Sequence, residues 1–167
     1  MVSFRKSAAT LLAAVFSVAV ANAASPAPTV KQMQDSLAHK GAKATLAAYF
    51  DCDTGTGYKL IDEGDAGAVK LAFALLPVAH GCQWESIAFS ISHAMTTNPT
   101  VTMRLLAQHD ILDPCVPGMN NETPPRTLAI LDDAQRAYES VTDPALAKVK
   151  QKCLAELKEF RAAQPTH

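Results

Sequence analysis

The chain is poor in aromatic residues, has no run of basic residues and, away from its N-terminus, has no long apolar stretch. Aromatics make up 6% of its 167 residues and include a single tryptophan. That scarcity, set beside abundant alanine, favours close-packed helices over a sheet. A formal net charge of −1 with no basic cluster provides no electrostatic footprint for nucleic acid or for an anionic membrane. No Cys-x-x-Cys-His is present, which excludes covalent haem attachment. His80 and Cys82 form a His-x-Cys pair, but no second ligand pair stands at zinc spacing, so neither metal nor cofactor is expected.

The N-terminus is the exception to this plain composition. Arg5 and Lys6 precede an uncharged run, SAATLLAAVFSVAV, that ends in the small residues Ala21-Asn22-Ala23. This is the pattern of a secretory signal peptide, with cleavage expected after Ala23. Its apolar core is shorter than the roughly 20 residues that span a bilayer, so no stable membrane anchor is expected after cleavage. No Cys follows the small residues and Arg5-Lys6 is not a twin-arginine pair, which argues against lipid attachment and the twin-arginine route. Cleavage removes two bases and no acid, leaving 13 bases against 16 acids and a formal charge of −3. The expected location is the bacterial periplasm or the exterior.

After a short Pro/Ala-rich lead, 24–29, the pattern from Val30 to residue 163 reads as one all-α domain, a compact array of about seven or eight antiparallel helices arranged as hairpins. Asn98-Pro99, Thr123-Pro124 and Asp143-Pro144 each set a capping residue before a proline at the first helical position. Gly64 followed by Asp65 reads as a stop and an immediate restart. From cap to cap the helices fall near 30–39, 42–50, 57–63, 66–79, 83–96, 99–109, 124–141 and 144–162. In the last, Leu146, Val149, Cys153, Leu157 and Phe160 recur at steps of three and four along one face. Leu128, Leu131, Tyr138 and Val141 trace a similar stripe on the preceding helix. Between 86 and 105 an alternating pattern also fits a small β-hairpin, which makes α+β the alternative fold. The Gly64-Asp65 and Thr97-Asn98 joints lie 33 residues apart, a spacing typical of stacked helix pairs, but their flanking residues do not match.

The stretch PVAHGCQWESIAFSISHAM, 77–95, gathers His80, Cys82, Glu85 and His93. On a helix Cys82 and His93 lie about 16 Å apart at 1.5 Å per residue, too far to share one ion. A Cys-His hydrolase needs Cys82 as a free thiolate near a helix start and a histidine held by a sheet, and the sheet signal is poor. His39, His80, His93 and His109 all fall near the ends of expected helices, where an imidazole can bond to free carbonyls. Asp132-Asp133 and the acids of the IDEGDAG turn are read as solvated or capping, since a general acid requires burial. Asp53-Thr54-Gly55 matches the triplet of aspartic proteases, but those are built from sheets.

Four cysteines, Cys52, Cys82, Cys115 and Cys153, survive the expected cleavage. An even count in an exported chain implies two disulfides, with three pairings open to counting alone. Cys153 faces the core of the last helix and Cys115 lies in the loop DILDPCVPGMNNET, 110–123, so joining them straps that loop to the terminal hairpin. Cys52 then pairs with Cys82. Closing two loops of this size contributes roughly 3–4 kcal/mol each on the chain-entropy estimate.

The string YKLIDEGDAGAVKLAFALLP through SISHAMTTNPTVTMRLL, a Cys-x-Pro loop and the closing VTDPALAKVKQKCLAEL resemble small exported all-helical proteins of proteobacteria. The resemblance implies a helical fold and brings no catalytic residue. The expected function is a non-enzymatic periplasmic interaction protein whose partner is another protein, in its most specific form similar to disulfide-strapped immunity proteins that block a cell-wall-degrading enzyme. The expected surfaces are the acidic turn Asp62, Glu63 and Asp65, and the loop from Asp113 through Asn120 and Asn121 to Glu122. The alternatives are a cell-wall hydrolase using Cys82 with a histidine, and a carrier holding a small ligand between helices.

Overall fold

The computed structural model describes residues 27–109, 114–119 and 122–164. The expected signal peptide, Asp113, Asn120 and Asn121 fall outside them. The described residues form seven α-helices and no strand: α1 (Val30–Tyr49), α2 (Tyr58–Asp62), α3 (Ala66–Leu75), α4 (Cys82–Thr97), α5 (Pro99–Leu106), α6 (Pro124–Glu139) and α7 (Ala147–Ala162). The fold is all-α, and the segment that also fitted a β-hairpin is α4 and α5. None of the helices is long and apolar enough to cross a membrane.

Local chemistry accounts for most of the boundaries. Thr29 and Gln32 form a reciprocal capping box at the start of α1. The two helices expected at 30–39 and 42–50 are both present within α1, separated at Gly41, whose φ of +82° and ψ of 171° are not helical. Thr45 Oγ1 holds the kink by donating to the Gly41 carbonyl and meeting Ser36 Oγ, each at 3.0 Å. Asp65 caps α3 by accepting from the amides of Gly67 and Ala68 at 2.8 and 3.0 Å. Asp143 accepts from the Ala145 amide at 3.0 Å where a 3-10 turn, Pro144–Leu146, leads into α7. Thr123 breaks the pattern: its side chain makes no capping bond, and Pro124 at the first helical position starts α6 without it.

The joints between helices lock onto one another. Gly64, at φ +74°, ends α2 in a conformation that L side chains rarely adopt. A Cβ there would stand 2.7 Å from Thr97 Oγ1 and 2.9 Å from Asn98 Cβ. Asn98 Nδ2 donates to the Gly64 carbonyl at 2.8 Å, and Thr97 Oγ1 donates to the Asp62 carbonyl at 2.9 Å. Asn98 also caps α5 through a long contact, 3.5 Å, from the Val101 amide. The α2–α3 and α4–α5 joints, 33 residues apart in sequence, therefore meet in space.

Two groups of buried side chains lie on either side of α4. Met33, Leu46, Phe50, Ile61, Leu71, Phe73, Leu75, Ile87 and Ile91 pack the first. Met95, Met103, Leu131, Tyr138, Leu146, Cys153 and Leu157 pack the second. α4 serves both, through Ile87, Ile91 and Ala94 on one side and Met95 on the other. The expected stripe on α7 is correct at Leu146, Cys153 and Leu157, which are buried. On α6 the buried face runs through Thr127, Leu131, Ala134 and Tyr138, which turns Leu128 outward to 42% exposure.

The disulfides join Cys52 to Cys82 and Cys115 to Cys153, the pairing expected from the helical faces. They differ in environment. Cys115 and Cys153 are buried at 2% and 0% exposure, and the buried Tyr138 hydroxyl donates to the Cys115 carbonyl at 2.9 Å. Burial pushes the Tyr138 pKa up, with Glu156 adding to the effect, so the phenol stays protonated and remains a donor. Cys52 and Cys82 are both solvent-exposed.

Two outcomes follow for the purified native protein. A low concentration of dithiothreitol reduces Cys52–Cys82 at least tenfold faster than Cys115–Cys153, because a thiolate must reach the sulfur it attacks; alkylation and peptide mapping read the order, and simultaneous reduction contradicts it. Asn98→Ala loses about 1–2 kcal/mol through the cap and the bond to Gly64. Asn98→Asp retains the acceptor, lacks the donor and falls between wild type and the alanine variant in urea midpoint. Equal midpoints for wild type and Asn98→Asp would show that the link to Gly64 contributes nothing.

Candidate functional site

The acidic turn does not form a single patch. Asp65 is committed to the cap of α3, and Glu63 lies 3.6 Å from Lys59 one turn back. Asp62, the last residue of α2, instead faces α4. Its Oδ1 is shielded from solvent and has no hydrogen-bond partner among the described residues. His93 Nδ1 stands 3.6 Å away, an ion-pair distance longer than a hydrogen bond. The two side chains are each 39% exposed, so salt partly screens the pair.

Helix packing creates this meeting. α2 lies against α4, and Thr97 and Asn98 pin the C-terminal end of α2 to the end of α4. That sets Asp62 beside His93, one turn back from Thr97. The Phe89 ring, one turn further back, packs against the His93 ring at a tilt of 56° with centroids 4.5 Å apart. Asp62 holds the His93 pKa above its ordinary value, burial works against it, and the Gly118 backbone adds to the upward shift. A backbone group that favours the charged ring is a carbonyl, because imidazolium only donates.

Gly118 belongs to the segment 114–119, which two contacts fix on α4. Its amide donates to Ser92 Oγ at 2.9 Å, and Ser92 Oγ in turn donates to the Phe89 carbonyl at 2.6 Å. Its α-carbon lies against the Phe89 ring so closely that a Cβ would come within 2.2 Å of it. Three residues away, Cys115 ties the same segment to α7.

Between these elements and α6 lies a cleft of about 390 Å³, whose lining includes Asp62, Phe89, His93, Gly118, Glu122 and Arg126. Arg126 Nε lies 3.9 Å from Glu122 Oε2. Asp133, further along the same wall, is paired with Arg136. A second cleft, which shares Asp62 and Phe89, continues along α2 and α4 past Tyr58, Glu85 and Ser86. The volume falls in the range of small-ligand and side-chain pockets. Its wall mixes aromatic, apolar and charged groups of both signs, which suits one protruding side chain with a charged end better than a purely apolar molecule.

Asp62 and Glu122, expected on two separate surfaces, thus line one cleft. His93 is not a cap: α4 runs to Thr97, and the ring faces Asp62. His109 packs against Phe73 with ring centroids 5.6 Å apart, and His39 and His80 are exposed. Phe89, Gly118 and Arg126 were not singled out from the sequence. Only Gly118, in a Pro-Gly pair of a long loop, carries a local signal there.

An Asp-His pair is two-thirds of a hydrolytic triad, whose third member is a hydroxyl or thiol on the imidazole. Here Ser92 Oγ is engaged by the backbones of Phe89 and Gly118. Cys82 is joined to Cys52, so it supplies neither a nucleophile nor a metal ligand. Among the described residues no three His, Cys, Asp or Glu side chains converge as a metal site.

Gly118→Ala tests how tightly the segment sits on α4. The added methyl forces the Phe89 ring to move and costs about 1–3 kcal/mol in urea unfolding. In the Phe89→Ala background the same change costs less than about 0.5 kcal/mol, because the obstruction is gone. Equal costs in both backgrounds would remove Phe89 as the neighbour that demands glycine. Compared with family models, curated proteins and solved structures, the chain has no match.

Proposed function

We propose that this is an exported, non-enzymatic interaction protein that docks another protein at the Asp62–His93 cleft. The observation that carries the reading is that all four cysteines are closed in two disulfides. Stable disulfides belong to oxidising compartments, in keeping with the signal pattern read over residues 1–23. The same pairing leaves Cys82 without a thiolate, which sets aside the hydrolase built on Cys82 and a histidine.

The cleft supports docking through its composition. Phe89 offers an apolar surface, and Arg126, Glu122 and Asp62 offer charge, the combination that anchors a protruding side chain at an interface. Its walls rest on helices held by disulfides and interlocked joints, so little ordering entropy is lost on binding. In its most specific form the partner is a cell-wall-degrading enzyme, inhibited by occlusion as an immunity protein does.

Expression of the full chain in a bacterial host, followed by fractionation, tests the location; the periplasmic protein begins at Ala24 by mass spectrometry, and retention of residues 1–23 in the cytoplasm would contradict export. A photo-crosslinking residue at Thr96, inside the cleft, captures a partner protein that the same group at Lys148, on α7, does not. The purified partner then binds wild type and loses about tenfold in affinity with Arg126→Ala. A partner captured equally from both positions, or one indifferent to Arg126, would refute docking at the cleft. Cell-wall hydrolysis by that partner, slowed by the wild-type protein and restored by the variant, separates the inhibitor reading from simple binding.

A further inference from the structure

The second cleft, of about 410 Å³, is lined by Tyr58 and Asp62 of α2 and by Glu85, Ser86, Phe89 and Ser90 of α4. Two carboxylates, three hydroxyls and an aromatic ring meet there, and among the described residues none of the side chains lining it is basic. Glu85 and Phe89, like Ser86 and Ser90, stand four residues apart on one face of α4, where β-carbons lie about 5–6 Å from one another. Asp62 approaches from the opposite helix beside His93, which is one turn beyond Phe89 and packs against its ring. The Phe89 ring therefore lies between the two carboxylates along the cleft.

Several of these groups lack partners. Ser90 is 3% exposed, yet its side chain makes no hydrogen bond among the described residues. A hydroxyl so deeply buried is ordinarily bonded; this one lines the cleft instead. Glu85 is exposed and has no ion-pair partner among the described residues. Asp62 Oδ1 is shielded from solvent and unbonded. Lys59, the one base of α2, is turned to Glu63 at 3.6 Å. Tyr58 donates its proton to the Phe50 carbonyl at 2.7 Å, so its oxygen has only lone pairs left to offer.

The cleft thus presents acceptors and an aromatic face to a ligand that must bring donors and positive charge. An anion is repelled, and an apolar group would strip water from the carboxylates without replacing it. A guanidinium meets every requirement: it is planar, carries five donors, forks onto carboxylates and stacks on aromatic rings. An ammonium has three donors at a point and no plane to stack. We infer that this cleft receives an arginine side chain of the docked protein, its guanidinium against the Phe89 ring and between the carboxylates of Asp62 and Glu85. The inference rests on the docking proposed above and names the side chain that anchors it.

NMR titration of the purified mature chain with N-acetyl-arginine amide tests the cleft with no partner present. The Ser86, Phe89 and Ser90 amides shift and saturate, whereas N-acetyl-citrulline amide, of the same shape without the charge, leaves them in place. N-acetyl-lysine amide binds several-fold more weakly. Glu85→Gln and Asp62→Asn each weaken the arginine probe about fivefold, and Glu63→Gln, outside the cleft, does not. Equal shifts from citrulline, a lysine probe bound as tightly, or an affinity indifferent to Glu85 would overturn the site. The partner captured at Thr96 provides the second arm, its affinity falling about tenfold with Glu85→Gln; an undiminished affinity would overturn the arginine anchor and leave docking intact. Failure to capture any partner, with the arginine probe bound as described, would instead overturn docking and leave the guanidinium site standing.

Discussion

The mutual grip of two helix joints is the constraint on which the rest of the structure hangs. Gly64 and Asp65 turn the chain from α2 into α3, and Thr97 and Asn98 turn it from α4 into α5. The end of α2 leaves backbone carbonyls unpaired, and the α4–α5 joint supplies donors to two of them. Asn98 Nδ2 serves the Gly64 carbonyl and Thr97 Oγ1 serves the Asp62 carbonyl. A buried helix end without such partners costs about 1–3 kcal/mol per group, so the two corners are stable together in a way that neither is alone. Their contact sets the angle and height of α2 against α4, and that placement brings Asp62 to His93.

The sparse aromatic content shapes the packing around this grip. Ala68, Ala72, Ala94 and Ala134 are fully buried, and small side chains allow neighbouring helix backbones to approach closely. Close approach suits short helices, but it offers less apolar area per residue than large side chains would. The disulfides offset that shortfall at two separate places. Cys52–Cys82 closes the loop before α2 onto the start of α4, and Cys115–Cys153 fixes the 114–119 segment to α7. The buried staple also receives the Tyr138 hydroxyl at the Cys115 carbonyl, which joins covalent and hydrogen-bonded restraint at one residue. α4, shared by both clusters of buried side chains, carries that restraint across the molecule.

What could be read from the sequence was what is decided locally. Capping residues before prolines, a glycine before an aspartate and the three-four stripe on α7 each depend on a few consecutive residues, and the helix boundaries follow them within a turn or so. The cysteine pairing was legible because Cys153 belongs to the α7 stripe and Cys115 to the long loop, so burial and connectivity agreed. Leu128 was expected in the apolar stripe of α6 and lies on the surface, at 42% exposure. It sits at the edge of the helix's apolar face, where a small rotation set by the neighbouring helix decides the outcome. His93 was misplaced for a related reason: a position near a helix end suggests a cap, whereas its partner Asp62 comes from an element 31 residues earlier. The contacts among Asp62, His93, Phe89 and Gly118 depend on helix rotation and loop docking, and no local pattern encodes those.

The cleft is bounded by α2, α4, the 114–119 segment and α6, and different kinds of interaction fix α2 and the segment in place. α2 is held to α4 by hydrogen bonds between side chains that do not titrate and backbone carbonyls, and by a glycine corner. The 114–119 segment is held to α7 by a buried disulfide and is fitted to α4 by a hydroxyl and an aromatic ring. The Asp62–His93 pair brings to the lining a group that changes charge near neutral pH. The bonds that set α2 against α4 involve no titrating side chain, so a change in the charge of His93 alters the electrostatics of the cleft while the joints that shape it stay made.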